Sequence, residues 1–241
     1  MSYVDAMFDR DADIIRVVER REGKRHFREY QAKYTFYYKD PKGKYKSVYG
    51  DQLSRVVCKN TKDFRKEVAI NRDKELFESD INPIFQCLSE NYLQQDAPKL
   101  NVLFWDIETD FDPERGFAPV EDPFMPITAI TVCLQWLDSM LITLAVPPKG
   151  MDFEEAKAMC KARWGDTCIL FPNDSEGNGE RDMLNMFLDL LDDVDIHSGW
   201  NSEGYDVPYT MNRIKRVLSS DDTRRFCLWQ QKPKKREYEK F

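Results

Sequence analysis

Residues 100–105, LNVLFW, form an apolar run that Asp106 and Glu108 break within three positions. A run of this kind reads as a strand covered on both faces, as in α/β proteins, because alternation with polar residues is missing. The two acids then constrain the strand's end. In a strand, residues i and i+2 point to the same side, so Asp106 and Glu108 share a face and Ile107 takes the other. Two like charges that close repel by about 1 kcal/mol or more at intermediate dielectric and raise one another's pKa. A divalent cation removes that penalty, and ligation by oxygen alone suits Mg²⁺ or Mn²⁺. A solvated strand end that runs into the acidic loop DFDPER would place the same two acids without any metal.

Residues on either side of this strand are patterned differently. Segments 3–8, 14–20, 24–30 and 34–38 are short and rich in β-branched and aromatic residues, with the turns DRDAD and REGK between them. Asp40-Pro41-Lys42-Gly43-Lys44 marks another turn, and 45–49 and 53–59 add two more strands. TKDFRKEV, from Thr61, reads as a capped helix. Asn82-Pro83 opens a second, with Pro in its first turn. Residues 1–98 are therefore expected to form a β-rich module closed by helices, with its junction at Ala97-Pro98-Lys99. Beyond it the pattern turns α/β. Strands are expected at 100–105, 127–137, 141–146, 167–171 and 196–199, with Asp138-Ser139-Met140 making a hairpin. Helices are expected at 153–164, 180–194 and 207–218. The helix at 180–194 has apolar residues at 183, 184, 186, 187, 190, 191 and 194, one wide face.

Composition removes several classes of function. With 41% hydrophobic residues in 241, the chain has enough apolar surface for one or two cores. No run approaches the roughly 20 apolar residues of a membrane span, and the N-terminus lacks the basic-then-apolar pattern of a secretory leader. A cytoplasmic protein without membrane contact is expected. The net charge of −7 argues against attachment to DNA by bulk positive charge, though local patches can still bind it. The cysteines at 58, 87, 133, 160, 168 and 227 form no CxxC pair and lie apart from the histidines. They read as small hydrophobes rather than as a zinc site or a disulfide framework. No Ser/His/Asp or Cys/His pattern points to a covalent nucleophile, and His197 reads as structural.

A second acid cluster follows the strand at 196–199, in the stretch HSGWNSEGYD. Asp206 stands just before a helix, where an acid is also an ordinary N-terminal residue. Asn201 lies five positions earlier, where a turn would suit it, and Tyr205 immediately precedes the acid. Asp106-Ile107-Glu108, Asn-x-x-x-Tyr-Asp at 201–206, and the segment 77–83, FESDINP, together resemble three motifs of family B DNA polymerases. They match the first and second motifs of the 3′–5′ proofreading exonuclease and the E-x-D-I-x-P segment ahead of it. Their order and spacing fit over nearly the whole chain, in the form seen in T-even-like tailed phages and cyanophages.

The resemblance implies an α/β (α+β) fold: a β-rich N-terminal domain over 1–98, then a ribonuclease H-like mixed-sheet 3′–5′ exonuclease domain over 99–241, truncated at its C-terminal end. It implies two Mg²⁺ (or Mn²⁺) ions held by Asp106, Glu108 and Asp206, with Asp106 bridging both. Such ion pairs, about 3.5–4 Å apart, activate water and stabilise the attacking and leaving oxygens of phosphodiester hydrolysis. It implies a single-stranded DNA 3′ end as substrate, contacted by Asn201, Tyr205 and Phe117. Aromatic stacking on an unpaired base contributes about 1–3 kcal/mol. Phe117 would equally anchor its loop to the core.

The family's third exonuclease motif, Tyr-x-x-x-Asp, has no match after Asp206: Tyr209 is followed four positions on by Arg213, and Tyr238 stands too near the end. Its polymerase motifs are absent. The expectation is one piece of a split or truncated viral polymerase, weak or inactive alone, in the cytoplasm of the infected host. The rest of the polymerase would be its partner, and a sliding clamp and replication proteins would be reached through that part. A different class of function remains open, a single-stranded nucleic-acid-binding or assembly module. The basic and aromatic stretch at 33–46, KYTFYYKDPKGKYK, suits it, and suits an amphipathic hairpin as well. A stand-alone nuclease is disfavoured by the N-terminal module. The charged tail at 232–240 reads as a solvated end.

Overall fold

The computed structural model describes residues 2–173 and 178–234. Tyr238 and the tail from residue 235 onward lie outside them. The chain divides into two compact units, Met1–Lys99 and Leu100–Phe241.

In the first unit, β1 (Ser2–Asp9), β2 (Ile14–Arg21) and β3 (Lys24–Gln31) form an antiparallel sheet in sequence order. A second antiparallel sheet has the order β5-β6-β4-β7, from β4 (Tyr34–Lys39), β5 (Tyr45–Lys46), β6 (Gln52–Cys58) and β7 (Leu76–Phe77). The strand expected at 45–49 shrinks to two residues because Ser47 and Asp51 close a turn: the Ser47 N–H donates to the Asp51 carbonyl, and the Asp51 N–H to the Ser47 hydroxyl. β7 was not expected, since two residues show no period. Helix α1 (Thr61–Ile70) is capped by Asn60, whose side chain accepts from the Asp63 N–H. Helix α2 (Pro83–Tyr92) is capped by Asn82, with Pro83 in its first turn. Ile15, Val17, Ala32, Tyr34, Cys58, Cys87 and Tyr92 form the core, which makes two of the cysteines packing residues.

Glu19 of β2 is 2% exposed. Burial alone would raise its pKa. The Tyr92 hydroxyl (2.7 Å) and the Arg21 and Arg28 guanidinium groups outweigh burial and hold it below the usual carboxylate range. A depressed carboxylate stabilises the fold above its unfolded-state pKa and loses that contribution as pH falls through the folded value. Tyr92→Phe is expected to cost about 1.5–3 kcal/mol, the range for a hydrogen bond to a charged group. It should also move the acid-unfolding midpoint to higher pH, as followed by circular dichroism.

In the second unit, β8 (Val102–Thr109), β9 (Ile127–Leu134) and β10 (Met140–Ala145) form an antiparallel meander. β11 (Cys168–Leu170) adds parallel to β10 and β12 (Ile196–Ser198) parallel to β8, giving the order β11-β10-β9-β8-β12. The expected hairpin turn is present, with Asp138 and Ser139 both in the left-handed region (φ 52° and 58°). Helices α3 (Phe153–Trp164), α4 (Asn178–Leu191) and α5 (Asp206–Val217) complete the unit with 3₁₀ turns at Gly165–Thr167 and Asp222–Phe226. Among the described residues no helix is long and apolar enough to cross a membrane.

One face of the sheet meets α4 and α5. Leu103, Trp105 and Ile107 of β8 pack with Ile130 and Val132, with Met183, Leu184, Phe187 and Leu188 of α4, and with Tyr209 and Ile214 of α5. Leu188 takes the inward place expected for Met186, which is 38% exposed. The apolar run at 100–105 does not mark a strand covered on both sides. Burial alternates along β8, and Phe104, on the second face, is 46% exposed.

Candidate functional site

β12 ends opposite Phe104, so beyond that point the edge of β8 has no strand partner on that side among the described residues. Gly199 begins the turn away. A Cβ there would lie 2.4 Å from the Trp105 carbonyl oxygen, so only glycine lets the chain leave the sheet this close to β8. Asn201 then adopts a left-handed conformation (φ 52°), and its carbonyl accepts from the Gly204 and Tyr205 N–H groups. Asn tolerates that region better than most residues. The turn delivers α5 with Asp206 as its first residue.

Asp206 does not cap its own helix: the N-cap is Tyr205, without a side-chain hydrogen bond. The Asp206 carboxylate instead fills the gap beside β8, where its Oδ1 accepts from the Ile107 N–H at 3.3 Å. It is 3% exposed. Burial raises its pKa, the Ile107 hydrogen bond opposes the rise, and the adjacent Asp106 carboxylate adds to it. Asp106 and Asp206 are thus brought together from opposite ends of the unit. Glu108 shares the exposed face of β8 with Asp106, two residues along, and does not join them in a closed cluster. Among the described residues no three His, Cys, Asp or Glu side chains gather tightly enough to hold a metal ion. What the site offers is oxygen donors only, one of them buried beside a like charge, a set whose chemistry suits a hard divalent cation.

Tyr205 adjoins this pair through the chain, whereas Phe117 lies in the loop that follows β8. Tyr205 is half-buried, its ring 5.3 Å from that of Tyr209 and its hydroxyl 3.5 Å from the Thr109 hydroxyl. Phe117 is 71% exposed and meets Phe111 edge-on at 5.0 Å. The loop that holds them is closed by paired backbone hydrogen bonds between Asp112 and Gly116, with Gly116 at φ 78° and the Asp112 carboxylate accepting from the Glu114 and Arg115 N–H groups. Phe117 therefore packs on a loop neighbour and stays open to solvent. Phe111 was not singled out from sequence, although two aromatics flanking a D-P-x-x-G turn signal such a pair. Asn201 is exposed, with its side chain against Gly204. His197 is on the opposite face in register with Leu103, between the Trp105 and Phe226 rings, and burial lowers its pKa.

Arg213, four positions after Tyr209, is buried in an ion pair with Glu180. Its Nε donates to Glu180 Oε1 (2.8 Å), which also accepts from the Ile127 N–H, and its Nη1 donates to the Pro123 carbonyl (2.9 Å). Neither residue was recognised from sequence as a structural pair, because nothing in the spacing of 180 and 213 announces it.

The family model described as DNA polymerase family B, exonuclease domain, matches residues 53–239. The chain belongs to DNA polymerase family B. Its mixed α/β sheet is of the ribonuclease H-like type that this family's exonuclease domain uses. The family B match begins in β6, inside the first compact unit, rather than at its end. The DNA-directed DNA polymerase of Escherichia phage RB69 is 26% identical over 242 residues, covering 92% of this chain and 25% of that protein. That of Enterobacteria phage T4 is 43% identical over 63 residues, covering 25% of this chain and 7% of that protein. The chain thus spans about a quarter of the length of the RB69 polymerase.

Proposed function

We propose that the second unit is the acid-bearing part of a 3′–5′ proofreading exonuclease that hydrolyses the single-stranded 3′ end of DNA during replication, and that the rest of the polymerase completes it. The placement of the buried Asp206 carboxylate beside Asp106, at the rim of one sheet, is the observation behind this reading. Asp106, Glu108 and Asp206 would hold Mg²⁺ or Mn²⁺. When bound, two such ions supply an activated water and charge stabilisation for both oxygens of the displacement.

The chain's own residues do the rest. The Ile107 N–H fixes the Asp206 carboxylate against β8. The turn at Asn201 brings Tyr205, half-buried, to the rim next to that acid, where a terminal nucleotide would meet it. The exposed Phe111–Phe117 pair offers a stacking platform to an unpaired base. A melted end is selected because only unpaired bases present their faces to those rings.

The reading is tested by digestion of a 5′-labelled single-stranded oligonucleotide with Mg²⁺ or Mn²⁺. The expected result is weak turnover by this chain alone and strong turnover once the polymerase remainder is added. No metal-dependent shortening under either condition rejects it. Robust turnover alone would mean that the acid of the missing third motif is dispensable or replaced.

A second reading, a nucleic-acid-binding or assembly module, draws on Lys44, Lys46 and Tyr49, which stand exposed around β5. Tyr37 packs its ring against Tyr45 at 5.4 Å, which is what an ordinary hairpin does. Oligonucleotide binding that persists in EDTA and in Asp106→Ala, and falls in Tyr37→Ala and Lys44→Ala, would favour this module over the nuclease.

A further inference from the structure

The face of the second unit's sheet turned away from α4 and α5 is covered unevenly. Across it the strand registers set side chains in rows. One row runs Ser198, Phe104, Cys133, Leu141, and the next runs Asp106, Thr131, Thr143, Cys168. Ile196, beside Val102, stands on the same face one row away from the first. Helix α3 lies over the β10–β11 end, above a cleft of about 430 Å³ lined by Thr143, Met159, Cys160 and Cys168 among others. Within the second unit, no described helix is placed over the first row. Phe104 is 46% exposed, Leu141 57% and Ile196 44%, and Cys133 is half-buried. Apolar side chains about 5 Å apart on neighbouring strands make a continuous strip, and clustered exposed apolar residues mark interaction surfaces where scattered ones do not.

We propose that this strip is the docking seat for an apolar segment of the remaining polymerase polypeptide. The inference rests on the reading of this chain as one part of that enzyme. Three observations favour this occupant. The run LNVLFW has the composition of a strand meant to be covered twice, and the fold covers it once. The strip lies within the region matched to the family, and the chain spans only a quarter of the RB69 polymerase's length. Asp106 follows Phe104 by two strand positions, about 7 Å, so a segment seated on the strip comes to lie beside the acids. Nucleic acid is a poorer occupant: Ile196, Ser198, Phe104, Cys133 and Leu141 include no cation to meet phosphate.

Cys133, in the middle of the strip, reports occupancy. The full chain is treated with iodoacetamide alone and with the polymerase remainder from the same source, expressed as a separate polypeptide, and Cys133 alkylation is followed by mass spectrometry. The remainder is expected to slow that alkylation. Phe104→Ser with Leu141→Ser is expected to weaken the complex about tenfold or more in Kd, as for loss of apolar anchors, without changing the thermal unfolding of the chain alone. A complex that leaves Cys133 alkylating at its free rate overturns the proposal, as does the absence of any complex. Protection that grows with the chain's own concentration assigns the strip to a second copy, and protection by an oligonucleotide assigns it to DNA; either result also overturns it. Metal-dependent DNA digestion is scored separately, so the docking proposal can fail while the nuclease reading stands.

Discussion

Arg213→Met is expected to destabilise the chain by about 3–5 kcal/mol, the range for breaking a buried ion pair from one side. The guanidinium and the Glu180 carboxylate have side-chain exposures of 8% and 10%. Removing Arg213 leaves the Glu180 charge facing one backbone donor, the Ile127 N–H, and leaves the Pro123 carbonyl without its partner. Methionine fills similar volume, so the loss would come from the stranded charge and not from a cavity. The double replacement Glu180→Met with Arg213→Met should recover much of the loss, since neither charge then remains buried. It should not recover all of it, because the Ile127 N–H and Pro123 carbonyl stay unpaired, at about 1–3 kcal/mol for such groups. Urea unfolding of the two variants decides. A single replacement no worse than the double would mean the pair is solvated. The pair also ties α4 and the loop before β9 to α5, the helix that begins at Asp206. Weakening it is therefore expected to loosen the acid's position as well.

The parts of the fold that a local signal encodes were legible. The capped helix from Thr61, Pro83 in a first turn, and Asp138-Ser139 in a hairpin each rest on signals within four residues, and each stands where the sequence put it. Strands with β-branched and aromatic residues were legible for the same reason. The covering of the sheet was not. An apolar residue such as Phe104 says that something should pack on it without saying whether that partner is in the same chain. The ion pair of Glu180 and Arg213 was equally silent, because two residues 33 positions apart on different helices share no period. At the candidate site, the common face of Asp106 and Glu108 followed from strand geometry alone. The approach of Asp206 came from motif resemblance. Its physical cause is nonlocal: a glycine at 199 that passes the Trp105 carbonyl, and a vacant N–H on β8 at Ile107.

Asp206→Asn separates folding from chemistry, and the two effects have opposite signs. The substitution keeps an oxygen to accept from the Ile107 N–H and removes a negative charge beside Asp106. In the wild type the carboxyl's folded-state pKa is raised, so the folded state holds its proton more tightly than the unfolded chain does. Stability therefore falls as pH rises from the ordinary aspartate value through the raised one, and the ionised form is a net cost above it. The substituted amide never ionises. The variant is expected to be more stable than the wild type at neutral pH without metal, by about 1 kcal/mol for a close like-charge pair at intermediate dielectric, and to lose that downward slope in acid. Addition of Mg²⁺ should then raise the melting temperature of the wild type and move the variant much less, because binding to the folded state alone stabilises in proportion to affinity. In the assembly with the polymerase remainder, 3′–5′ digestion by the variant should fall about 10³-fold, the equivalent of several kcal/mol of metal-borne charge stabilisation. A variant that gains stability and keeps its turnover would leave the acid pair as a folding cost without a catalytic role. One that loses stability instead would mean the Asp206 charge serves the fold, and the pairing with Asp106 would no longer support a metal site.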